Sequence, residues 1–430
     1  MMKKKTYDRR AFLQSSAAST LTLASGLSLV ACGDGGEASA ETRSAGAAGS
    51  PTPDVSGTDI VVKEIRTFIM DDAIFVKVET DSGHVGWGEC DAGSHEVMEA
   101  FIHSEHARRV IGRDPFDNEP IFDEMFYRAH DFGPGGALSN SIAGIDIALW
   151  DIKGKILDVP IYRLLGGKYR DAMPVYGSYG TGRWERLSKE EAVAQAKKFV
   201  RNGFRTVKCR MQIREDHLNP VNDRTIEYVD AIEKEIGDDA ELFVDINNGY
   251  TAARAIQVGR ILQDEYGHRF FEEPCSDQNH VETAEVVAAL DLGILSGEKE
   301  YTLWQLDELI RYANPDYLNP DVIKAGGITV MDKMAALAQA RQKPMILHNT
   351  RPTISTAASL HLVAAMPTVG PFFEFPDVDR FPDLIGTVKN YLDYGDGEIR
   401  VPDEPGLGME IDEEKVIARA TSVRTTSQDD

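Results

Sequence analysis

Eight charged or titratable side chains, Lys208, Arg210, Asp245, Glu272, Glu298, Asp321, His348 and Glu374, each follow a short apolar run, and several are separated by 26 or 27 residues. Asp245, Glu272 and Glu298 make an all-oxygen set suited to a hard divalent cation such as Mg2+, with positions left over for water and substrate. No thiolates or clustered imidazoles stand at these places to favour zinc. A metal with nearby cations suits one demanding reaction in particular. The C–H beside a carboxylate is a very weak acid, and its removal leaves an ene-diolate dianion that needs preorganised positive charge.

Such residues must be carried to one place by regularly repeating elements. The segments Pro174–Tyr179, Phe204–Arg210, Glu241–Ile246, Arg269–Glu273, Gly293–Gly297, Asp316–Pro320, Pro344–His348 and Gly370–Phe375 read as eight short strands, separated by amphipathic helices. That alternation predicts a closed parallel (β/α)8 barrel, and the spacing places the polar residues at the C-terminal strand ends, around one mouth. Within the third strand Leu242, Val244 and Ile246 share a face, leaving Asp245 and Asn247 on the other. Lys208 and Arg210 point together for the same reason. Ahead of the barrel, Ile60–Phe68, Ile74–Glu79 and the Gly-interrupted stretch around Trp87 predict a small antiparallel sheet, followed by a helical zone over 96–157. No G-x-G-x-x-G follows the first barrel strand, which argues against a dinucleotide fold.

The ordered stretches Ala143-Gly144-Ile145-Asp146-Ile147-Ala148-Leu149-Trp150-Asp151-Ile152-Lys153-Gly154-Lys155 with Pro160–Gly167, Val244-Asp245-Ile246-Asn247, Phe271-Glu272-Glu273-Pro274, Gly297-Glu298 and Pro320-Asp321-Val322-Ile323-Lys324-Ala325-Gly326-Gly327 resemble the enolase superfamily. The likeness is to the mandelate racemase group of the mandelate racemase/muconate lactonizing enzyme family, and it runs over essentially the whole chain after the first 57 residues. It implies an N-terminal α+β capping domain (58–170), a (β/α)8-type TIM barrel (171–386) and a C-terminal strap and tail (387–430) that completes the cap. It implies Asp245, Glu272 (rather than Glu273) and Glu298 as Mg2+ ligands and pairs His348 with Asp321. A carboxylate behind an imidazole fixes its tautomer and raises its basicity, as general-base work requires. Glu374, among Phe372, Phe373 and Phe375, matches the acid that donates to the substrate carboxylate or ene-diolate, and burial there is expected to raise its pKa. Relatives are usually oligomers, so a homo-oligomer is expected.

Many relatives carry Lys-x-Lys on the second barrel strand, whereas this chain has Lys208-Cys209-Arg210. Arginine is a poor proton acceptor. Lys208 and Arg210 are therefore read as holding the substrate carboxylate, with Asn247 beside them, while His348 removes the α-proton and protonates a departing β-hydroxyl. That division favours dehydration of a sugar acid to a 2-keto-3-deoxy acid. Racemisation or epimerisation of a 2-hydroxy acid stays open, should Lys208 have a depressed pKa. A non-catalytic lipoprotein that binds organic acids is the third reading. Cys90–Val97 and Ala129–Ser139 are the candidate closing segments over the mouth. The polar last residues, ending Gln428-Asp429-Asp430, are expected to be disordered.

With 42% hydrophobic and 27% charged residues the composition is that of a globular protein, and a formal net charge of −24 speaks against nucleic acid as partner. The four cysteines are too scattered to define a disulfide framework. Lys3–Lys5, Arg9-Arg10 with Phe12-Leu13, and the apolar run Ala17–Ala31 read as an export signal (1–32) of the twin-arginine kind. Leu29-Val30-Ala31-Cys32 looks like a lipobox, with Cys32 the lipidated residue and only contact with a membrane. The Gly/Ala/Ser/Pro-rich 33–57 reads as a flexible tether. The expected location is the periplasm or cell envelope of a bacterium.

Overall fold

The computed structural model describes residues 60–91, 94–180, 187–211 and 218–429. The export signal, Cys32, the tether and part of the Cys90–Val97 segment lie outside the described residues.

Strands β1 (Val62–Ile69), β2 (Ile74–Thr80) and β3 (Val85–Cys90) form an antiparallel meander. Against it lies the helix Ala137–Ile156, apolar nearly all round and buried along most of its length, because it is covered on several sides. Gly86 and Gly88 serve this contact: a Cβ on Gly88 would stand 1.8 Å from the Gly144 carbonyl oxygen, and one on Gly86 2.0 Å from that of Ala148. The two buried carboxylates of this helix tie three parts of the molecule together. Asp146 accepts from the Thr329 backbone N–H (3.0 Å) at the start of the barrel helix Ile328–Ala340. Asp151 accepts from the backbone N–H of Trp87 in the cap (3.0 Å) and of Leu407 in the strap (2.9 Å).

The barrel strands follow in order: β4 (Ala172–Gly180), β5 (Thr206–Arg210), β6 (Glu241–Asp245), β7 (Phe270–Glu272), β8 (Gly293–Ser296) and β9 (Tyr317–Leu318), each parallel to the next. β10 (Phe373–Pro376) pairs in parallel with β4 and closes the ring. Two expectations need correction. The seventh strand, expected over Pro344–His348, makes only single bridges, Leu318↔Met345, Asp321↔His348 and Met345↔Val369. Pro320 and Pro344 each lack a backbone donor, which limits a continuous ladder there. The last barrel strand begins at Phe373 rather than Gly370. Inside the ring Tyr176, Phe243, Phe270, Leu295 and Ile346 pack together and fill the floor, which confines polar side chains to the mouth.

After the barrel, β11 (Tyr394–Gly395) and β12 (Glu398–Arg400) make a hairpin whose second strand runs antiparallel to β4. The chain then returns to the cap. The polar tail expected to be disordered instead contains an edge strand, β13 (Ser422–Ser427), paired with β1 from Ile69↔Ser422 to Glu64↔Ser427. An edge strand is held by its backbone, so polar side chains facing solvent give no sign of it.

Candidate active site

Strand register sets the level of the site. Arg210 lies opposite Asp245, and Asp245 opposite Glu272, on three successive strands. Glu298 follows β8, and Asp321 bridges His348 just beyond β9. Tight turns end these strands: Asn247, Asn248 and Glu273 all have positive φ. Asparagine tolerates this conformation, whereas Glu273 is held in it by Lys299 (2.7 Å) and by Asn248 Nδ2.

All of the residues expected at the mouth are brought there. Lys208 Nζ lies 2.7 Å from Glu272 Oε1 and 2.7 Å from Glu374 Oε1, over the ring of Tyr176. Arg210 donates to Asn247 Oδ1 (3.0 Å), and Asn247 Nδ2 donates to Glu298 Oε1 (3.3 Å). His348 Nδ1 is 2.6 Å from Asp321 Oδ2, whose other oxygen accepts from the backbone N–H groups of Ile323 and Lys324. The remaining ring nitrogen, Nε2, faces Glu298 Oε2 at 2.9 Å.

The electrostatics follow from burial and these pairings. Burial alone would lower His348, but the carboxylates of Glu298 and Glu374 and the hydrogen bond to Asp321 together outweigh it and lift the imidazole to about 10. Burial would raise Asp321, yet the hydrogen bond and charge of His348 together with Lys324 outweigh it and keep the carboxyl below its ordinary value. Burial pushes Asp245 up to about 6 against the pull of Lys208, with Glu298 adding to the rise. One expectation is reversed here, and the condition for the racemase alternative is not met. Glu374 is not raised by its aromatic surroundings, because Lys208 and His348 outweigh burial and hold it below the usual carboxylate range. Lys208 is not depressed either: burial acts to lower it, but Glu272 and Glu374 together hold the ammonium well above its normal value.

The donor set fits a hard divalent ion. Asp245 and Glu272 stand side by side in register, and Glu272 Oε2 is buried with no hydrogen-bond partner among the described residues. The site is not a closed metal cage in this arrangement, since among the described residues no three His, Cys, Asp or Glu side chains converge as a metal would require. Glu298 is instead engaged by His348, Lys299 and Lys324.

Four participants were not singled out from sequence. Lys299 and Lys324 contact Glu298; Asn319 Nδ2 donates to Glu272 Oε1 (3.3 Å); the Asn349 backbone N–H donates to Glu374 Oε2 (2.9 Å). Each lies within three residues of a strand-end residue that was singled out, and that proximity was the available signal. Both candidate closing segments reach the barrel. A Cβ on Gly135 would stand 2.5 Å from the ring of Tyr301 in the loop after β8, and Asp91 pairs with Arg351 (2.9 Å), three residues beyond His348.

Comparison with known proteins agrees with this geometry. Residues 60–166 match the mandelate racemase/muconate lactonizing enzyme N-terminal domain, and residues 191–415 match the enolase C-terminal domain-like family. The chain is 34% identical over 355 residues to a D-galactonate dehydratase of Ralstonia pickettii, covering 81% of this chain and 91% of that one. It is 32% identical over 343 residues to an arabinonate dehydratase of Saccharolobus solfataricus, covering 79% and 88%. Among solved structures, a mandelate racemase/muconate lactonizing protein from Paracoccus denitrificans, complexed with magnesium, superposes with a TM-score of 0.77 at 32% identity, over 84% of this chain and 98% of that one. A capped barrel with strand-end carboxylates and a His–Asp pair at its mouth, matched along both domains, makes this chain an enzyme of the mandelate racemase/muconate lactonizing enzyme family, within the enolase superfamily.

Proposed function

We propose that the chain is a Mg2+-dependent dehydratase of sugar acids, which forms a 2-keto-3-deoxy acid by removing the α-proton and the β-hydroxyl. The observation that carries this reading is a single proton-transfer group at the mouth among the described residues. His348, oriented by Asp321, is a base or acid by turns, whereas Lys208 is locked as a cation between two carboxylates and Arg210 cannot accept a proton. Relatives named as dehydratases of arabinonate and galactonate support the substrate class.

Asp245, Glu272 and Glu298 are the residues that would hold the ion. Bound there, a divalent cation supplies positive charge to the substrate carboxylate and to the ene-diolate that develops from it. Lys208 and Arg210 add to that charge from the second strand. With the Glu298 charge offset, the imidazole of His348 loses the strongest of the interactions that raise it, which favours the neutral form that a base needs. His348 Nε2 then takes the α-proton while Nδ1–H stays on Asp321, and the imidazolium returns its proton to the departing β-hydroxyl, which leaves as water. The enol product becomes the 2-keto acid by gaining a proton at carbon. Glu374, with Asn349 behind it, keeps Lys208 charged and in place. The N-terminal Arg9-Arg10 and Cys32 further suggest an enzyme exported in folded form and anchored by lipid in the cell envelope. Loss of membrane association on Cys32→Ser tests that part.

The deciding experiment incubates the Mg2+-supplied protein with aldonic and aldaric acids in D2O and follows products by NMR. A 2-keto-3-deoxy acid from one of them is the expected result. Deuterium at the α-carbon with inversion and no keto acid would replace the reading by a racemase or epimerase, and silence despite tight binding would replace it by a binding protein.

A further inference from the structure

Glu298 differs from the other two proposed metal ligands in the company it keeps. Its Oε1 is approached by Lys299 Nζ at 2.7 Å, Lys324 Nζ at 3.3 Å and Asn247 Nδ2 at 3.3 Å, and its Oε2 by His348 Nε2 at 2.9 Å. Glu272, by contrast, keeps one oxygen without a hydrogen-bond partner among the described residues. A carboxylate oxygen offers about two lone-pair directions, so Glu298 Oε1 is saturated as it stands. A divalent ion can take that oxygen only by displacing an ammonium group, and a nearby ammonium opposes the ion through like charge. Lys299 has somewhere else to go, because its Nζ also lies 2.7 Å from Glu273 Oε2. Lys324 sits on the sixth unit and has no such second carboxylate at contact distance among the described residues' ion pairs.

We infer that Lys299 and Lys324 compete with the divalent cation for Glu298 and thereby set the enzyme's metal affinity: they hold this carboxylate when the metal is absent and yield it when the metal binds. The inference rests on the reading of Glu298 as a metal ligand. Both lysines are positioning residues, since they act through Glu298 rather than on substrate.

The test is calorimetric titration of the metal-stripped full chain with Mg2+, comparing wild type with Lys324→Gln, Lys299→Gln and the charge-retaining Lys324→Arg. Removal of either ammonium is expected to tighten Mg2+ binding by about tenfold, as loss of one close like charge in a partly screened site implies, while Lys324→Arg keeps the wild-type affinity. A merely structural role would leave the affinity unchanged or weaken it, and either result overturns the inference. Lys299→Gln removes the partner of buried Glu273 and can cost folding; Lys324→Gln leaves that pair intact and keeps the test decisive. The two levels of failure are distinct. Wild-type protein that takes up no Mg2+, with Glu298→Gln indistinguishable from it, defeats the metal reading and the inference together; wild-type uptake with unaltered variants defeats the inference alone.

Discussion

His348 is useful only because both ring nitrogens are committed, Nδ1 to Asp321 and Nε2 to the mouth. Replacing it by Asn keeps the polarity and removes the proton acceptor, so His348→Asn is expected to lower kcat for dehydration on the order of 10^3-fold, with α-proton exchange lost in parallel and KM changed little. Steady-state kinetics and solvent deuterium uptake check this together. Arg210 poses the complementary question. Its guanidinium contacts Asn247 and does not give up a proton. Arg210→Lys restores an amine that can titrate on the opposite side of the site, and it is expected to add α-deuteration with inversion to the reaction. An unchanged stereochemical outcome would mean that the second-strand side chain is not placed to reach the α-carbon. At this scale sequence was informative about identity and misleading about charge. Glu374 was expected to be raised by its phenylalanine neighbours, but the charges of Lys208 and His348 override them. Pairing between strands far apart in sequence cannot be read from a local window.

At the scale of elements, the cap is fastened to the barrel at the end of β3. Glu89 is fully buried and accepts from the Ser355 backbone N–H (2.8 Å) and from the Thr353 hydroxyl (3.1 Å), at the start of the barrel helix Ile354–Ala365. Burial raises its carboxyl from 4.5 to about 7 against those hydrogen bonds and the charge of Arg351. Between these two values the folded protein holds a proton that the unfolded chain releases. Its stabilising contribution is therefore complete below about pH 4.5 and is lost as pH rises through about 7, amounting to about 3 kcal/mol across the window. Glu89→Gln keeps an acceptor and removes the titration, so its Tm is expected to fall less than that of wild type between pH 5 and pH 8; thermal melts across that range decide it. The order of the elements was legible from periodicity, strand-end polarity and the glycine-rich stretches. The seventh strand was not, because single bridges around Pro320 and Pro344 take the place of a ladder. Nor was β13, whose pairing with β1 joins the two ends of the described chain and leaves no mark in a polar sequence.

For the whole molecule, the proposed metal binding would be linked to folding. A metal site drawn from Asp245, Glu272 and Glu298 requires the closed barrel, so on the proposed assignment Mg2+ is expected to bind the folded state preferentially and to stabilise it by about 2.7 kcal/mol at a hundredfold excess over its Kd. Chelation with EDTA is expected to abolish dehydration and lower Tm, and added Mg2+ to restore both; a Tm indifferent to Mg2+ would count against the three-carboxylate site. The net charge of −24 makes that cation the more necessary, because the general field repels an anionic substrate. By itself the sequence determined the barrel, the cap and the chemical identity of the mouth, since a recurring strand–helix unit repeats its strand-end residue at a regular interval and regular intervals survive in one dimension. Only the tertiary structure decided which charges neutralise which: Lys208 between Glu272 and Glu374, Lys299 and Lys324 on Glu298, His348 between Asp321 and Glu298. Coulomb energy depends on distance through space and on burial, and both are set when the ring closes and brings β10 back to β4.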